Sequence, residues 1–436
     1  SRQLEDVWRR ESPHVLGALL RRHADLGDCE DAAQEAVEAA ARQWPREGVP
    51  ENPRGWLIRV ASRRLIDQTR SERARAVREE AVAVAQPNDA FITPGVDTEQ
   101  ERAADDSLQL LLLCCHPSLT RRSQVALTLR AVSGLSTPQI AAAFLVPEAT
   151  MAQRLSRAKA TLHAREARFE LPEASALPER VAAVLDVLYL VFNEGYMRSA
   201  GHSLVDTSLT QEAIRLTRQL HRHLPDHDEV AGALALMMLT QARQAARVDD
   251  RGDLIPLSEQ DRQLWDKELI AEGVGILELA LPRGHVGRFQ LQAASAAVHA
   301  ESPTWQDTDW RQISLLYEML ERTAPSPAVT LNQAVAVSMS LGPQHGLTII
   351  DNLLTDPTMR RHHRTHAVRG HLLETAGDLA GAADEYSRAA QLTASLPEQR
   401  YLNARAQRAR CHNEARKSAP EDATPRDLGG LTPDSR

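Results

Sequence analysis

The chain has 436 residues, of which 42% are hydrophobic and 25% charged, with a formal net charge of −8. That length exceeds one ordinary domain and predicts two to four. The composition is that of a soluble globular protein, and the lack of any apolar run of about 18 residues excludes a transmembrane helix. Aromatics make up only 4%, Ala and Leu dominate, and alternating strand patterns are absent, so the expected fold class is all-α. The opening SRQLEDVWRR has no signal-peptide character. Cys29, Cys114, Cys115 and Cys411 do not form a disulfide framework, and a cytoplasmic setting with reduced thiols is expected. No P-loop, Rossmann glycine pattern or nucleophile elbow occurs, so neither an enzyme nor a cofactor is expected.

Charge is unevenly placed. Residues 54–78 hold eight arginines against Asp67 and Glu72, and residues 121–168 hold eight cations against Glu148 and Glu166. Between them, residues 79–106 hold eight acids against Arg102 alone. In chain order, DCEDAAQEAVEAAARQW (28–44) predicts a helix with acids on its early turns. PREGVPENP (45–53) is a Pro/Gly-rich loop. RGWLIRVASRRLIDQTRSERARAVRE (54–79) predicts a long amphipathic helix. Trp56, Leu57, Val60, Leu65 and Ile66 face inward there, and Arg59, Arg63, Arg64 and Arg70 lie outside that stripe. Residues 81–104 read as an acidic linker, and DDSLQLLLLCCHPSL (105–119) and TRRSQVALTLRAVSG (120–134) each give a helix.

GLSTPQIAAAFLVPEATMAQRLSRAKATLHAR (134–165) is a basic two-helix segment in an acidic protein. Thr137 is the expected N-cap, with Pro138 at the first helical position. Ile140, Ala141 and Phe144 supply an apolar face, LVPEA makes the turn, and Thr150 starts the second helix. Met151, Leu155, Ala158 and Leu162 fall on one face of it, and Thr150, Gln153, Arg154, Arg157 and Lys159 fall outside that face. This is helix-turn-helix logic, in which the second helix reaches base edges and its cations hold phosphates. An ordinary helical hairpin with a solvated arginine face reads the same stretch equally well.

Residues 171–415 form a longer series of helical patterns, and 416–436 read as a disordered tail. Within them, RGHLLETAGDLAGAADEYSRAAQL (369–392) places Gly370, Gly377, Ala382, Tyr386 and Ala389 at tetratricopeptide (TPR) spacing. Residues 332–354 echo it more weakly, with Gly342 in the place of Gly377. Adjacent Cys114 and Cys115 suit a buried helix rather than zinc. His362 and His366 are four apart but lack the HExxH glutamate, so a solvated helix is expected and no metal site.

The joint occurrence of both basic blocks resembles a bacterial sigma-70 factor of the extracytoplasmic-function (ECF) class. Residues 28–44 look like its region 2.2, NPRGWLIRVASRRLIDQTR like regions 2.3–2.4, and GLSTPQIAAAFLVPEATMAQRLSRAKATL like region 4.2. DDSLQLLLLCCHPSLT, LYLVFNEGY (188–196) and DRQLWDKELIAEG (261–273) look like the subgroup with a large C-terminal helical extension (ECF42). The resemblance implies five segments. They are region 2 (1–80), the acidic linker (81–104), region 4 (105–168), a C-terminal TPR-like regulatory domain (171–415) and the tail (416–436).

It further implies two partners, core RNA polymerase through its β′ clamp helices and β flap, and promoter DNA. Asp28, Asp31, Gln34 and Glu35 would hold the clamp helices. The loop from Trp44 to Asn52 would capture an unstacked base of the −10 element, with Arg54, Arg59, Arg63 and Arg64 along the adjacent DNA. Core packing is the competing account of Trp44 and the favoured one for Trp56. Thr150, Gln153, Arg154, Arg157 and Lys159 would meet the −35 element. Asn193, Glu194, Gly195 and Tyr196 would lock the extension onto the sigma core, against the plain account of a Gly-capped helix end with a tucked Tyr. Trp265 is expected in a core. The chain departs from the family at the helix-turn-helix turn, where Leu145 stands in a position often held by Gly. Because non-Gly residues avoid positive φ, a differently shaped turn is expected. A one-component helix-turn-helix regulator with a sensing repeat domain remains the alternative.

Overall fold

The computed structural model describes residues 2–23, 25–79, 106–197, 200–201 and 205–418. The expected linker at 81–104 and nearly all of the tail lie outside them. The fold is all-α, and the chain divides into two compact units, Ser1–Asp309 and Trp310–Arg436.

The first unit begins with three helices, α1 (Arg2–Leu20), α2 (Leu26–Glu47) and α3 (Pro53–Glu79). Asp25 caps α2 through the backbone N–H of Asp28 at 2.9 Å. The inner face of α2 is mostly alanine, and Ala32, Ala33, Ala36 and Ala40 are at most 3% exposed. Small residues at that spacing let neighbouring helices come close, and α1, α3 and α7 all pack on α2. A helix over 106–114 (α4) follows. Next come α5 (Arg121–Ala131), α6 (Thr137–Ala143) and α7 (Glu148–Ala164). Cys114, the last residue of α4, and Cys115, in the turn after it, are fully buried, and burial pushes the Cys115 thiol up to about 12.

Two local readings of the two-helix segment shift. Ser136, not Thr137, caps α6, and its side chain and that of Gln139 form a reciprocal capping box. Thr137 and Pro138 therefore sit in the first turn. The turn is not reshaped to avoid positive φ. Leu145 takes a left-handed φ of 51°, with its side chain 49% exposed. Such a conformation costs roughly 1–2 kcal/mol for a residue with a Cβ, which the packing of α6 against α7 must offset.

The rest of the unit holds α8 (Leu177–Tyr196), α9 (Thr207–His223), α10 (Asp228–Gln241), α11 (Lys267–Ala280) and α12 (Arg288–Glu301). α10 is its centre, and every residue from 230 to 239 is buried. Burying one Leu or Met stabilises the fold by about 1.5–3 kcal/mol. Trp265 is 4% exposed, in a core as expected, with the Arg262 guanidinium 4.6 Å from its ring.

The second unit runs α13 (Trp310–Thr323), α14 (Pro327–Leu341), α15 (Pro343–Leu353), α16 (His363–Thr375), α17 (Leu379–Leu392) and α18 (Leu396–Ser418). The repeat-like spacing has a geometric basis. A side chain at Gly370 would come within 3.0 Å of the Tyr386 ring, and Ala382 and Ala389 are fully buried. Gly377 and Gly342 both break helices at positive φ, 88° and 101°. His366 is not solvated. It is 2% exposed, with Nδ1 2.6 Å from Glu385 Oε2 and Nε2 2.9 Å from the Arg360 carbonyl oxygen. Among the described residues, no group of His, Cys, Asp or Glu could hold a metal ion, and no helix is long and apolar enough to cross a membrane.

Candidate nucleic-acid interface

The first turns of α7 leave Thr150, Gln153 and Arg157 exposed and Arg154 half-buried. These four line a groove of about 380 Å³, together with Thr120 and Ser123 at the start of α5. Thr120 caps α5 by accepting from the Ser123 N–H at 3.3 Å. Polar side chains, two guanidiniums and a helix N-terminus meeting in one groove suit a base edge flanked by phosphates. Nothing in the local pattern of 120–123 marked those two residues, because only the packing of α5 against α7 brings them in. Lys159 does not join this groove. It lies on the side of α7 facing α2, its side chain 21% exposed, 3.3 Å from Glu30 Oε2 and 3.5 Å from Asp31 Oδ1.

On α3, Arg59 and Arg63 are exposed and unpaired among the described residues. Arg64 sits 3.1 Å from Glu35 of α2, so two residues expected on different partners hold each other. Arg54 donates to Glu11 of α1 at 2.8 Å. Burial alone would raise the Glu11 carboxyl, but the hydrogen bond and charge of Arg54 outweigh it and hold it below the usual range. Asn52 is exposed, and its Oδ1 caps α3 by accepting from the Gly55 N–H at 2.8 Å. Trp44 is not displayed to a base here. It is 6% exposed and packs edge-on against half-buried Trp56, ring centroids 5.5 Å apart.

The acidic face of α2 meets cations of the second basic block. Arg130 of α5 pairs with Glu30 and donates to Gln34 Oε1 at 3.2 Å. His163 Nδ1 lies 2.5 Å from Asp25 Oδ2. Asp28 is exposed and accepts from Gln68 Nε2 at 3.4 Å. Away from this face, the Ser12 hydroxyl donates to the Ala131 carbonyl at 2.9 Å, joining α1 to α5 inside the core.

Gly195 and Tyr196 pack against residues of the extension. Gly195 is buried, its carbonyl accepts from the Asp206 N–H at 2.7 Å, and a Cβ there would fall 2.7 Å from that of Leu209. It is an interior helical residue and not a cap, since α8 ends at Tyr196. The Tyr196 ring stacks on Phe192 and lies 3.6 Å from the Arg247 guanidinium. Asn193 is exposed and Glu194 half-buried. The link to α5 lies further back on α8. Asp186 accepts from Arg121 Nη2 at 2.7 Å and also pairs with Arg288 of α12. Sequence reasoning missed this residue, which carries no motif of its own.

With this geometry in view, the similarities are specific. Residues 7–75 match the family Sigma-70 region 2, and residues 109–162 match Sigma-70, region 4. Residues 180–281 match a family of unknown function, DUF6596. An uncharacterized protein of Rhizobium meliloti (strain 1021) is 41% identical over 398 residues, 89% of this chain and 92% of that protein. A protein described as probable ECF RNA polymerase sigma factor SigI, in two strains of Mycobacterium tuberculosis, is 30% identical over 153 residues. That match covers 35% of this chain and 52% of the mycobacterial protein, about half its length. With both sigma regions matched, in order, and a probable ECF sigma factor among its relatives, the chain belongs to the sigma-70 family.

Proposed function

We propose that the chain binds core RNA polymerase, directs it to a dedicated set of promoters, and is controlled by its own helical extension. The observation that carries this reading is the pairing of two basic surfaces on one chain. These are Arg59 and Arg63 on α3 and the groove of Thr150, Gln153, Arg154 and Arg157 on α7. Phosphate contacts supply affinity and base contacts supply selection. On this reading α3 and Asn52 meet the −10 element and the α7 groove meets the −35 element. Asp28, Asp31, Gln34 and Glu35 meet the β′ clamp helices, and region 4 meets the β flap. Trp44 supports the −10 loop from within the core. Arg64, Arg54 and Lys159 join DNA only after leaving their present carboxylate partners. As in the rest of its family the chain acts without enzymatic chemistry, and its place of work is the cytoplasm, where polymerase is.

Control by the extension rests on Asp186, which joins α5 of region 4 to α12 through two arginines. Residues 171–415 are the regulatory part on this reading, in the manner of the ECF subgroup with a helical extension. Run-off transcription with core polymerase and genomic templates tests it, comparing the full chain with Asp186→Ala. Initiation by either chain supports the sigma reading, and a difference between them supports control through Asp186. If neither initiates while the protein still binds duplex DNA without polymerase, the one-component regulator takes its place.

A further inference from the structure

We propose that the cleft between region 2 and the extension is a binding site for a nucleoside di- or triphosphate. The binding itself does not depend on the sigma reading, so the two can fail separately.

The cleft has a volume of about 970 Å³, at the upper end of the roughly 300–1,000 Å³ of small-molecule sites. One wall is α1 and the start of α3, with Arg10, Pro13, His14 and Arg54. The other is α9, with the end of α10 and the start of α11 beside it. Helical spacing explains the α9 wall. Gln211, Arg215, Arg218, Gln219 and Arg222 fall on one stripe of that helix. Leu209, Ala213, Leu216 and Leu220 are buried on the opposite side. The stripe carries no acid, in a chain of net charge −8.

The arginines of the cleft are held in place without being used up. Arg54 and Arg10 each give Nε to Glu11, at 2.8 and 3.0 Å. Arg215 gives Nε and Nη2 to Glu212, and Arg218 gives Nη2 to Glu272 at 2.9 Å. Arg222 has no partner among the described residues. In all five, Nη1 makes no hydrogen bond among the described residues. A guanidinium carries its N–H donors in a fixed fork. A carboxylate on one edge orients that fork and leaves donors for an anion. The anion must compete with Glu11, Glu212 and Glu272, and with Asp266 in the lining. That favours a ligand with several charges and paired acceptor oxygens, as a di- or triphosphate has.

The rest of the lining suits a nucleoside rather than phosphate alone. Pro13, Ile214 and Leu269 supply apolar surface for a ring. Gln241 also lines the cleft, and its side-chain oxygen is buried with no hydrogen-bond partner among the described residues. Such an acceptor is costly to leave unmet, and an exocyclic amine or a ribose hydroxyl would meet it. A nucleotide held by both walls touches region 2 and the extension at once.

The test uses the full chain at physiological salt, with ATP and GTP carrying a fluorescent methylanthraniloyl group as probes and polarisation as the readout. Saturable binding of at least one of them is expected. Arg222→Ala and Arg218→Ala should each weaken it about ten-fold. Arg251→Ala, at an exposed arginine of the extension outside the cleft, should leave it unchanged. Arg222 is exposed, so its truncation should leave the fold intact, which circular dichroism of that variant checks. Inorganic pyrophosphate should displace the probe less well than unlabelled nucleotide. No saturable binding at millimolar concentration, or a loss shared by Arg251→Ala, overturns the proposal. So does displacement by pyrophosphate as good as by nucleotide, which leaves a plain anion site. Displacement by a mixed-sequence DNA duplex at matched phosphate concentration overturns it too, and assigns the cleft to nucleic acid.

Discussion

Arg121 of α5 donates to Asp186 of α8 at 2.7 Å, and Arg288 of α12 pairs with the same carboxylate from the other side. One acid thus joins region 4 to two helices of the extension. The Arg121 and Asp186 side chains are 41% and 28% exposed, so each pair is partly screened. Asp186→Ala leaves two guanidiniums facing each other and should destabilise the first unit by about 1–2 kcal/mol. Asp186→Asn should cost less. Urea unfolding of both variants checks the order; equal stability of Asp186→Ala and the parent would remove Asp186 from the link.

Leu145 offers the opposite sign. Its φ of 51° is a conformation that glycine adopts freely, and its side chain is half-exposed, so little packing is lost on truncation. Leu145→Gly should stabilise the helix-turn-helix by up to about 1 kcal/mol. Leu145→Ala should not, since alanine keeps the Cβ. Denaturation midpoints of the three chains separate a backbone effect from a side-chain one.

Gly195 has no such freedom to vary. A methyl group there would fall 2.7 Å from the Leu209 Cβ and 2.7 Å from the Thr210 backbone nitrogen. Backbone cannot retreat as a flexible side-chain tip can. Gly195→Ala should push α8 away from α9 and cost about 1–3 kcal/mol, seen as a lowered thermal midpoint. Unchanged stability would mean that the two helices have slack between them.

On DNA, the two proposed surfaces should behave differently. Arg59→Ala and Arg63→Ala should each weaken promoter-complex formation on every template alike, and lower the salt slope by about one. Arg157→Ala or Gln153→Ala should discriminate between −35 sequences, with losses of about 1–3 kcal/mol on the preferred one. Competition between templates at two salt concentrations resolves the pattern. A uniform loss from Gln153→Ala would remove it from base reading.

The second unit should be acid-sensitive. Burial alone would raise the Glu374, Glu385 and Glu398 carboxyls, but partners overcome it and hold all three below the usual range. Arg405 and Tyr386 act on Glu374, His366 and Arg369 on Glu385, and His363 and Thr393 on Glu398. A carboxyl lowered in the folded state binds protons more readily when unfolded. Its stabilisation is therefore full above the ordinary carboxylate range and is lost as pH falls through the lowered folded value. Denaturant midpoints for this unit should drop steeply below about pH 4.5, and Glu374→Gln should flatten part of that drop. A midpoint independent of pH down to 3 would contradict these pairings.

Much of this was legible in the residues. Helical periodicity carried the all-α class, and the apolar stripe of Met151, Leu155, Ala158 and Leu162 marked the inner face of α7, where all four are buried. Local signals misplaced the α6 cap by one residue, because Ser136 and Thr137 are both good caps and only the Gln139 return bond chooses between them. Other placements were not legible for a shared reason. Lys159 lies outside the apolar stripe, yet its side chain turns to α2, whose Glu30 is more than a hundred residues away. Arg130, Asp186 and the His366–Glu385 pair are invisible for the same reason. Charge pairs between distant segments leave no periodic trace. Trp44 was ambiguous because an aromatic at a helix end serves a core and a base equally well.

α10 is buried on every side, with every residue from 230 to 239 in the core. A helix wrapped in this way has no edge from which to fray. Its amides should be among the slowest in the chain to exchange with deuterium, opening only when the surrounding helices separate as a group. The helices packed around α10 should therefore open together or not at all. If the extension is regulatory, as proposed, a signal reaching this bundle would be passed on by shifting intact helices rather than by melting one.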